Sequence, residues 1–320
     1  MSEIYDRQVK LFGEKKQNEL EDSLVLLLGC GALGSQVANN LARAGVNLRI
    51  VDRDIVEESN LHRTLFSRND IGKPKAEAME EILDRSSEVD VEVVVDDFSS
   101  FNWDSYVEDV DIVVDCSDNM STRYLLNRVS LKESIPWIHG SVVRYEGRSI
   151  TFIPGQGSCF RCLYPEKPSP GSLETCHSAG IFNPIASFIA SYQASETLKY
   201  LADIGQMNQN LLVADFSKNS LRFVEVGTKD GCVCSKDTVK IDTEEDILIR
   251  KTCEGYQVTS RTDSLDLEKI QERYGGELRC IFLQLTFSGE DVVLFENGRM
   301  QIKTDSKQRA KSIYTKILGV

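Results

Sequence analysis

Apolar positions in the first half of the chain fall in short unbroken runs. Residues 24–28 read Leu-Val-Leu-Leu-Leu, and Ile-Val-Val lies between Asp111 and Asp115. Runs of this length suit strands buried on both faces of a parallel sheet. Leu48–Asp52, Val91–Val95 and the stretch near 137–139 read as further strands. Helical spacing separates them: Ser35–Ala44, stopped at Gly45, then 75–85 and 121–132. Strand and helix alternate, which predicts a doubly wound, Rossmann-like α/β domain with a mainly parallel sheet.

The pattern changes after residue 145. A strand over 145–153 leads into a loop over 154–184 that holds prolines and cysteines, then a long helix over about 185–203 and strands near 211–214 and 221–226. The remainder reads as a separate α+β unit. Its strands fall near 246–251, 256–259, 279–287, 290–295 and 299–303, with helices near 265–274 and 305–318. Length agrees: 320 residues make about two domains at roughly 150 residues each. So does charge. Residues 240–320 carry 13 basic and 14 acidic side chains, while the rest holds nearly all of the net charge of −13. We therefore expect domains at 1–238 and 239–320.

That acidity argues against a nucleic-acid partner, which needs Lys and Arg to neutralise phosphates. No apolar run reaches the roughly 18 residues of a membrane span. Met1–Lys10 has no apolar h-region, so a cytoplasmic protein is expected. Nine cysteines are an odd number, and without a secretion signal they suggest metal binding or catalysis before a disulfide framework.

Candidate chemistry starts where the first strand ends, at Gly29-Cys-Gly31-Ala-Leu-Gly34. Glycines at this spacing let backbone approach a phosphate, and the helix that follows presents its N-terminus to it. Asp52 closes the next strand, 18 residues beyond Gly34, where an acid can hold ribose hydroxyls. This context points to a nucleotide and leaves NAD and ATP open.

The motifs that follow decide between them. They are Asp52-Arg-Asp54, Glu58-Ser-Asn60-Leu-His-Arg63, Gly72-Lys-Pro-Lys75 and Asp115-Cys-Ser-Asp118-Asn119, with Tyr5-Asp-Arg7-Gln8 at the start. Over about residues 4–235 the chain resembles the ThiF/MoeB/HesA family of ubiquitin-activating-type adenylyltransferases. The resemblance implies ATP as substrate and a small β-grasp, ubiquitin-like or sulfur-carrier protein ending in Gly-Gly as partner. Its C-terminal carboxylate would attack the α-phosphate, giving an acyl-adenylate and pyrophosphate. Two anions must meet, so positive charge is required. By resemblance, Gly29, Gly31, Gly34, Asp54 and Asn119 line the nucleotide site, Asp52 holds the ribose, Asn60 helps place the triphosphate, and Arg63 and Lys75 contact the phosphates. Asp118 is then the Mg²⁺ ligand, and Arg7 reaches into the partner subunit's site, which implies a homodimer.

Cys159-Phe-Arg-Cys162 is a CxxC and Cys232-Val-Cys234 a CxC. Family members carry two CxxC pairs that hold structural zinc. The second pair here is one residue shorter. Thr175-Cys176-His177-Ser-Ala179-Gly180 matches the segment whose cysteine, in members that form a thioester or persulfide, is the nucleophile. Cys30 and Cys116 read as small buried filler. Cys253 and Cys280 read as structural, and His62 and His139 lack partners at metal spacing. The tail has no cysteine loop of the sulfur-donating rhodanese type. Residues 292–318 resemble one half-repeat of the TATA-binding protein, with an Asn-Gly hairpin turn at Asn297-Gly298. Its neutral charge favours a module for docking a protein or for dimerisation. The final Leu-Gly-Val320 is not a Gly-Gly tail, so the chain is not its own substrate. Two alternatives fit the residues less well. An NAD-dependent dehydrogenase leaves Arg63, Lys75 and Asp118 without a task. A non-catalytic family member acting as a binding or regulatory subunit would not need its full nucleotide set.

Overall fold

Leu24–Leu28 forms β1 at the centre of an eight-stranded sheet, with all but its first side chain buried. β2 (Asn47–Val51) lies on one side, followed outward by β3 (Val91–Val94). On the other side come β4 (Ile112–Asp115), β5 (Trp137–Val143), β6 (Glu146–Phe152), β7 (Leu211–Asp215) and β8 (Ser220–Val224). From β3 to β5 neighbouring strands are parallel. From β5 to β8 they are antiparallel; short turns join β5 to β6 and β7 to β8, while a long excursion over 153–210 separates β6 from β7. The order β3-β2-β1-β4 reverses between β1 and β4. A doubly wound sheet binds ligands at that point, outside the carboxyl ends of its strands.

This computed structural model describes residues 3–168, 179–236, 239–241, 247–252, 255–260, 264–279 and 281–318. Cys176, His177, Cys253 and Cys280 lie outside them.

Two helices open the chain, α1 (Asp6–Phe12) and α2 (Glu14–Glu21), separated by Gly13. The sequence pattern does not announce them. The residues of α2, Glu-Lys-Lys-Gln-Asn-Glu-Leu-Glu, are mostly charged, and only Gln17 and Leu20 are buried. A hydrogen bond replaces an apolar stripe: the Gln17 amide donates to the Ala44 carbonyl at 3.1 Å.

The crossover helices match the apolar spacing: α3 (Gly34–Ala42), α4 (Lys75–Asp84), a short α5 (Trp103–Val107) and α6 (Met120–Glu133). Within the expected loop over 154–184, residues 160–163 form a turn of helix, α7 (Phe160–Leu163). The long α8 (Asn183–Leu201) buries Ile185, Ala186, Ile189 and Ala190 in the same apolar core as Val37, Leu41 and Ile138.

The chain divides into two compact units, Met1–Ile241 and Asp242–Val320. In the second, β9 (Ile247–Thr252), β10 (Gly255–Ser260), β11 (Glu277–Arg279), β12 (Phe282–Phe287), β13 (Glu290–Phe295) and β14 (Met300–Ile302) form one antiparallel sheet, ordered β11-β12-β13-β14-β10-β9. The stretch read as one strand over 279–287 holds β12 and only the last residue of β11, and these two strands pair antiparallel. Between strands, the chain forms α9 (Leu267–Tyr274), and it ends in α10 (Lys307–Leu318). Ala310, Ile313 and Tyr314 of α10 share a buried core with Val258, Leu283, Val292 and Leu294. No helix among the described residues is long and apolar enough to cross a membrane.

Candidate functional site

The three glycines after β1 do different work. Gly29 turns the chain at φ +92°, and a Cβ there would sit 2.8 Å from the Cys116 carbonyl oxygen. A Cβ on Gly34 would sit 1.9 Å from the Gly29 carbonyl oxygen. Both positions exclude a side chain for internal reasons. Gly31 does not: no atom lies within 4 Å of its would-be Cβ. It lines a cleft of about 230 Å³ at the carboxyl ends of β1, β2 and β4. Open space beside a glycine in ordinary backbone is what a closely approaching ligand needs.

The cleft gathers Gly29, Gly31, Asp52, Asp54, Asn60, Arg63, Lys75, Asp118 and Asn119. Asp52 follows β2 and is buried. Its carboxylate accepts the Cys30 N–H at 2.5 Å and the Asp54 N–H at 2.7 Å, which ties the glycine turn to the β2 loop. Burial raises the Asp52 carboxyl above its ordinary value, against the pull of Lys75. The Lys75 ammonium lies 2.9 Å from Asp54 Oδ2. Burial alone would lower its pKa, but Asp54 and then Asp52 outweigh this and keep it charged. Arg63 donates to the Ser59 carbonyl at 2.6 Å.

Asn60 and Asn119 have prior commitments. Asn60 Oδ1 accepts the Glu57 N–H at 3.1 Å. Asn119 Oδ1 caps α6 by accepting the Thr122 N–H at 2.9 Å. Both brace the loops that carry Arg63 and Asp118. Arg7 is exposed on α1 and is not part of this cleft. His62, beside Arg63, is exposed as well.

Three features of the site have no counterpart in the sequence reading. The first is Arg53, whose guanidinium is paired with Asp97, Asp54 and Asp118. β2 ends at Val51, so strand alternation does not say where residue 53 faces.

The second is a buried cluster behind the Asp118 loop. Asp115 Oδ2 is 2.8 Å from His139 Nδ1 and 3.1 Å from Arg123 Nε. Burial pushes the Asp115 carboxyl up, but Arg123 and then His139 hold it below the usual carboxylate range. His139 is pushed down by burial and by Arg123, so a neutral imidazole donates to the carboxylate.

The third is Gln193 on α8, fully buried. Its amide donates to the Asp115 carbonyl at 2.9 Å and its oxygen lies 3.7 Å from Cys116 Sγ. Gly140 makes room for it, since a Cβ there would lie 2.4 Å from the amide. α8 thereby holds the β4–α6 loop that presents Asp118.

Cys159, Cys162, Cys232 and Cys234 converge separately, their sulfurs all within 4.8 Å of one another. The resolved separations run from 3.5 to 4.0 Å. Four sulfurs at about 2.3 Å from a tetrahedral ion stand about 3.8 Å apart, so the set fits one metal. The shorter CxC reaches because Cys232 and Cys234 sit either side of Val233 in a short 3-10 turn.

The ThiF family model matches residues 5–235. The SAMP-activating enzyme E1 of Haloferax volcanii is 37% identical over 246 residues, 75% of this chain and 90% of that protein. The sulfur carrier protein ThiS adenylyltransferase of Bacillus subtilis is 34% identical over 342 aligned positions that span all of both chains. The adenylyltransferase and sulfurtransferase MOCS3 of Drosophila persimilis is 35% identical, and the match spans 60% of its length. Among solved structures, E. coli MccB with ATP shares the fold, with a TM-score of 0.63 at 21% identity over 73% of this chain and 74% of that one. The glycine turn, the acid and cations of the cleft and the cysteine pairs all lie inside the matched segment, and the chain belongs to the ThiF family.

Proposed function

We propose that the chain is an adenylyltransferase that activates the C-terminal glycine of a small ubiquitin-like or sulfur-carrier protein with ATP. The observation that carries this reading is the meeting of Arg63 and Lys75 with Asp118 around the open face of Gly31. The names of the aligned relatives support it.

In the reaction a carboxylate oxygen of the partner attacks the α-phosphorus, the bond to the bridging oxygen breaks, and pyrophosphate leaves. Lys75 and Arg63 offset the charge that gathers as the two anions meet. The buried Asp52 is placed for the ribose hydroxyls, and the backbone at Gly31 lets the phosphates lie close. Asp118, a hard oxygen donor with room around it, would hold Mg²⁺. That ion would neutralise phosphate charge. The cleft and the adenylate chemistry support ATP over NAD. The four cysteines would hold a structural zinc, closed to chemistry.

Arg7, exposed on α1 and absent from its own cleft, fits a residue contributed to the other subunit's site, and we propose a homodimer on that basis. Cys176 would then attack the acyl-adenylate, with AMP leaving and a thioester forming. The proposed use of ATP, and six described cysteines none of which is paired in a disulfide, support action in the cytoplasm. The second unit is proposed to dock a protein or to dimerise.

ATP–pyrophosphate exchange with Mg²⁺ and a panel of β-grasp proteins ending in Gly-Gly tests this. Exchange with one of them establishes the activity and identifies the partner. ATP binding without exchange across the panel would overturn the catalytic reading in favour of a regulatory subunit.

A further inference from the structure

We propose that Arg53 is the resident counter-ion of Asp118 and keeps divalent metal out of the cleft until nucleotide brings it in. The inference rests on the adenylation reading, because it takes Asp118 as the metal ligand. Arg53 is anchored on one side and reaches out on the other. Its Nη1 lies 3.3 Å from Asp97 Oδ1 and its Nε 3.6 Å from Asp54 Oδ1. Its Nη2 lies 4.0 Å from Asp118 Oδ1. The side chains of Arg53 and Asp97 are 17% and 7% exposed, that of Asp118 57%. The guanidinium is thus the buried, anchored member of the pair and the carboxylate the exposed one.

The charges make the arrangement consequential. Asp52, Asp54, Asp97 and Asp118 all line the cleft and all act on the Arg53 charge. Lys75 is bonded to Asp54 and feels Asp118 only as the weakest of its acidic neighbours, and Arg63 is bonded to the Ser59 carbonyl. Without Arg53, Asp97 and Asp118 would form an acidic pocket open to any hard cation. With it, a bare cation approaching Asp118 meets a fixed positive charge. A triphosphate supplies the negative charge that offsets this repulsion, so metal and nucleotide enter together. Asp118 then turns from Arg53 to the metal, while Asp97 keeps the guanidinium in place beside the phosphates. Arg53 is a positioning residue in this scheme.

Mn²⁺ binding followed by electron paramagnetic resonance, in the full chain, reads this without turnover. The wild type is expected to bind Mn²⁺ weakly alone, and at least about tenfold more tightly with a non-hydrolysable ATP analogue. Arg53→Gln keeps a donor for Asp97 and loses the charge. It should bind Mn²⁺ alone at least about tenfold more tightly than wild type, and its KM for ATP·Mg should rise by a similar factor. Arg53→Lys should restore both. Equal nucleotide-free affinity in wild type and Arg53→Gln overturns the proposal. So does an Arg53→Lys variant that behaves as Arg53→Gln. If Arg53→Gln does not fold, a wild type that holds Mn²⁺ as tightly alone as with the analogue overturns it instead. Adding Asp118→Asn to Arg53→Gln should abolish the new site, and Mn²⁺ that stays refutes the assignment to Asp118. Pyrophosphate exchange by the wild type reports on the adenylation reading separately, so failure of one is distinguishable from failure of the other.

Discussion

Replacing each of the three glycines by alanine should separate stability from function, because the structure assigns them different neighbours. At Gly34 the new methyl would stand 1.9 Å from a backbone carbonyl oxygen. Neither atom can give way without moving the turn, and overpacking of this kind costs about 3 kcal/mol or more. For a unit of this size that lowers Tm by about 6–12 °C. Gly29→Ala combines φ +92° with a 2.8 Å approach to the Cys116 carbonyl oxygen. The left-handed backbone alone costs about 1–2 kcal/mol, and the contact adds to it. Gly31→Ala meets nothing within 4 Å, and its effect on stability should stay within about 0.5 kcal/mol. Its cost appears only with ligand. At 100 times Kd, ATP stabilises by about 2.7 kcal/mol, and a tenfold loss of affinity about halves that. The assay is a thermal melt of each variant with and without ATP·Mg, beside pyrophosphate exchange. Gly31→Ala should melt as wild type alone and lose about half or more of the ATP-induced shift. A full ATP shift would show that the phosphates do not pass over Gly31. An unliganded melt as low as that of Gly34→Ala would show that the space there is not open.

Further outcomes follow from the surrounding network. Metal analysis should find about one zinc per chain, and replacing both Cys232 and Cys234 by serine should remove it and lower Tm. Stoichiometric zinc after that double change would refute the four-sulfur site. His139 is held below the ordinary histidine pKa by burial and Arg123. The unfolded chain therefore binds the extra proton, and stability is full above about pH 6.5 and falls as pH drops below it. One unit lower, the loss from this residue is at most about 1.4 kcal/mol. His139→Gln should flatten that part of the stability profile between pH 7 and 5.5, and an unchanged slope would refute the assignment. Gln193→Leu leaves the buried Asp115 carbonyl without its 2.9 Å partner. The cost should be about 1–3 kcal/mol in urea unfolding, with a raised KM for ATP·Mg because the Asp118 loop loosens. A variant as stable as wild type would show that the bond contributes nothing.

Local pattern in the chain was enough to place most of the first unit. Leu24–Leu28 and the Ile-Val-Val of β4 are short, unbroken apolar runs that suit a doubly buried strand, and glycine spacing marks the turn between β1 and α3. Residue type alone also singled out the cysteine pairs, because thiolates two or three positions apart chelate. α1 and α2 were illegible for the opposite reason: beside the single buried Leu20, the Gln8 and Gln17 amides tie them to each other and to the Ala44 carbonyl, and hydrogen bonds of a side chain leave no periodic trace. The sequence could name Asp52, Lys75 and Asp118 as chemistry-bearing. It could not say which charges face one another, nor that Asn119 would cap a helix, nor that one glycine of three was open to a ligand. Those depend on the strand order β2-β1-β4, which brings three loops far apart in the chain together at the carboxyl ends of neighbouring strands. Periodicity and residue chemistry are local quantities that the chain carries within a few positions. Charge pairing, burial and room for a ligand are distances between segments, and only the folded sheet sets them.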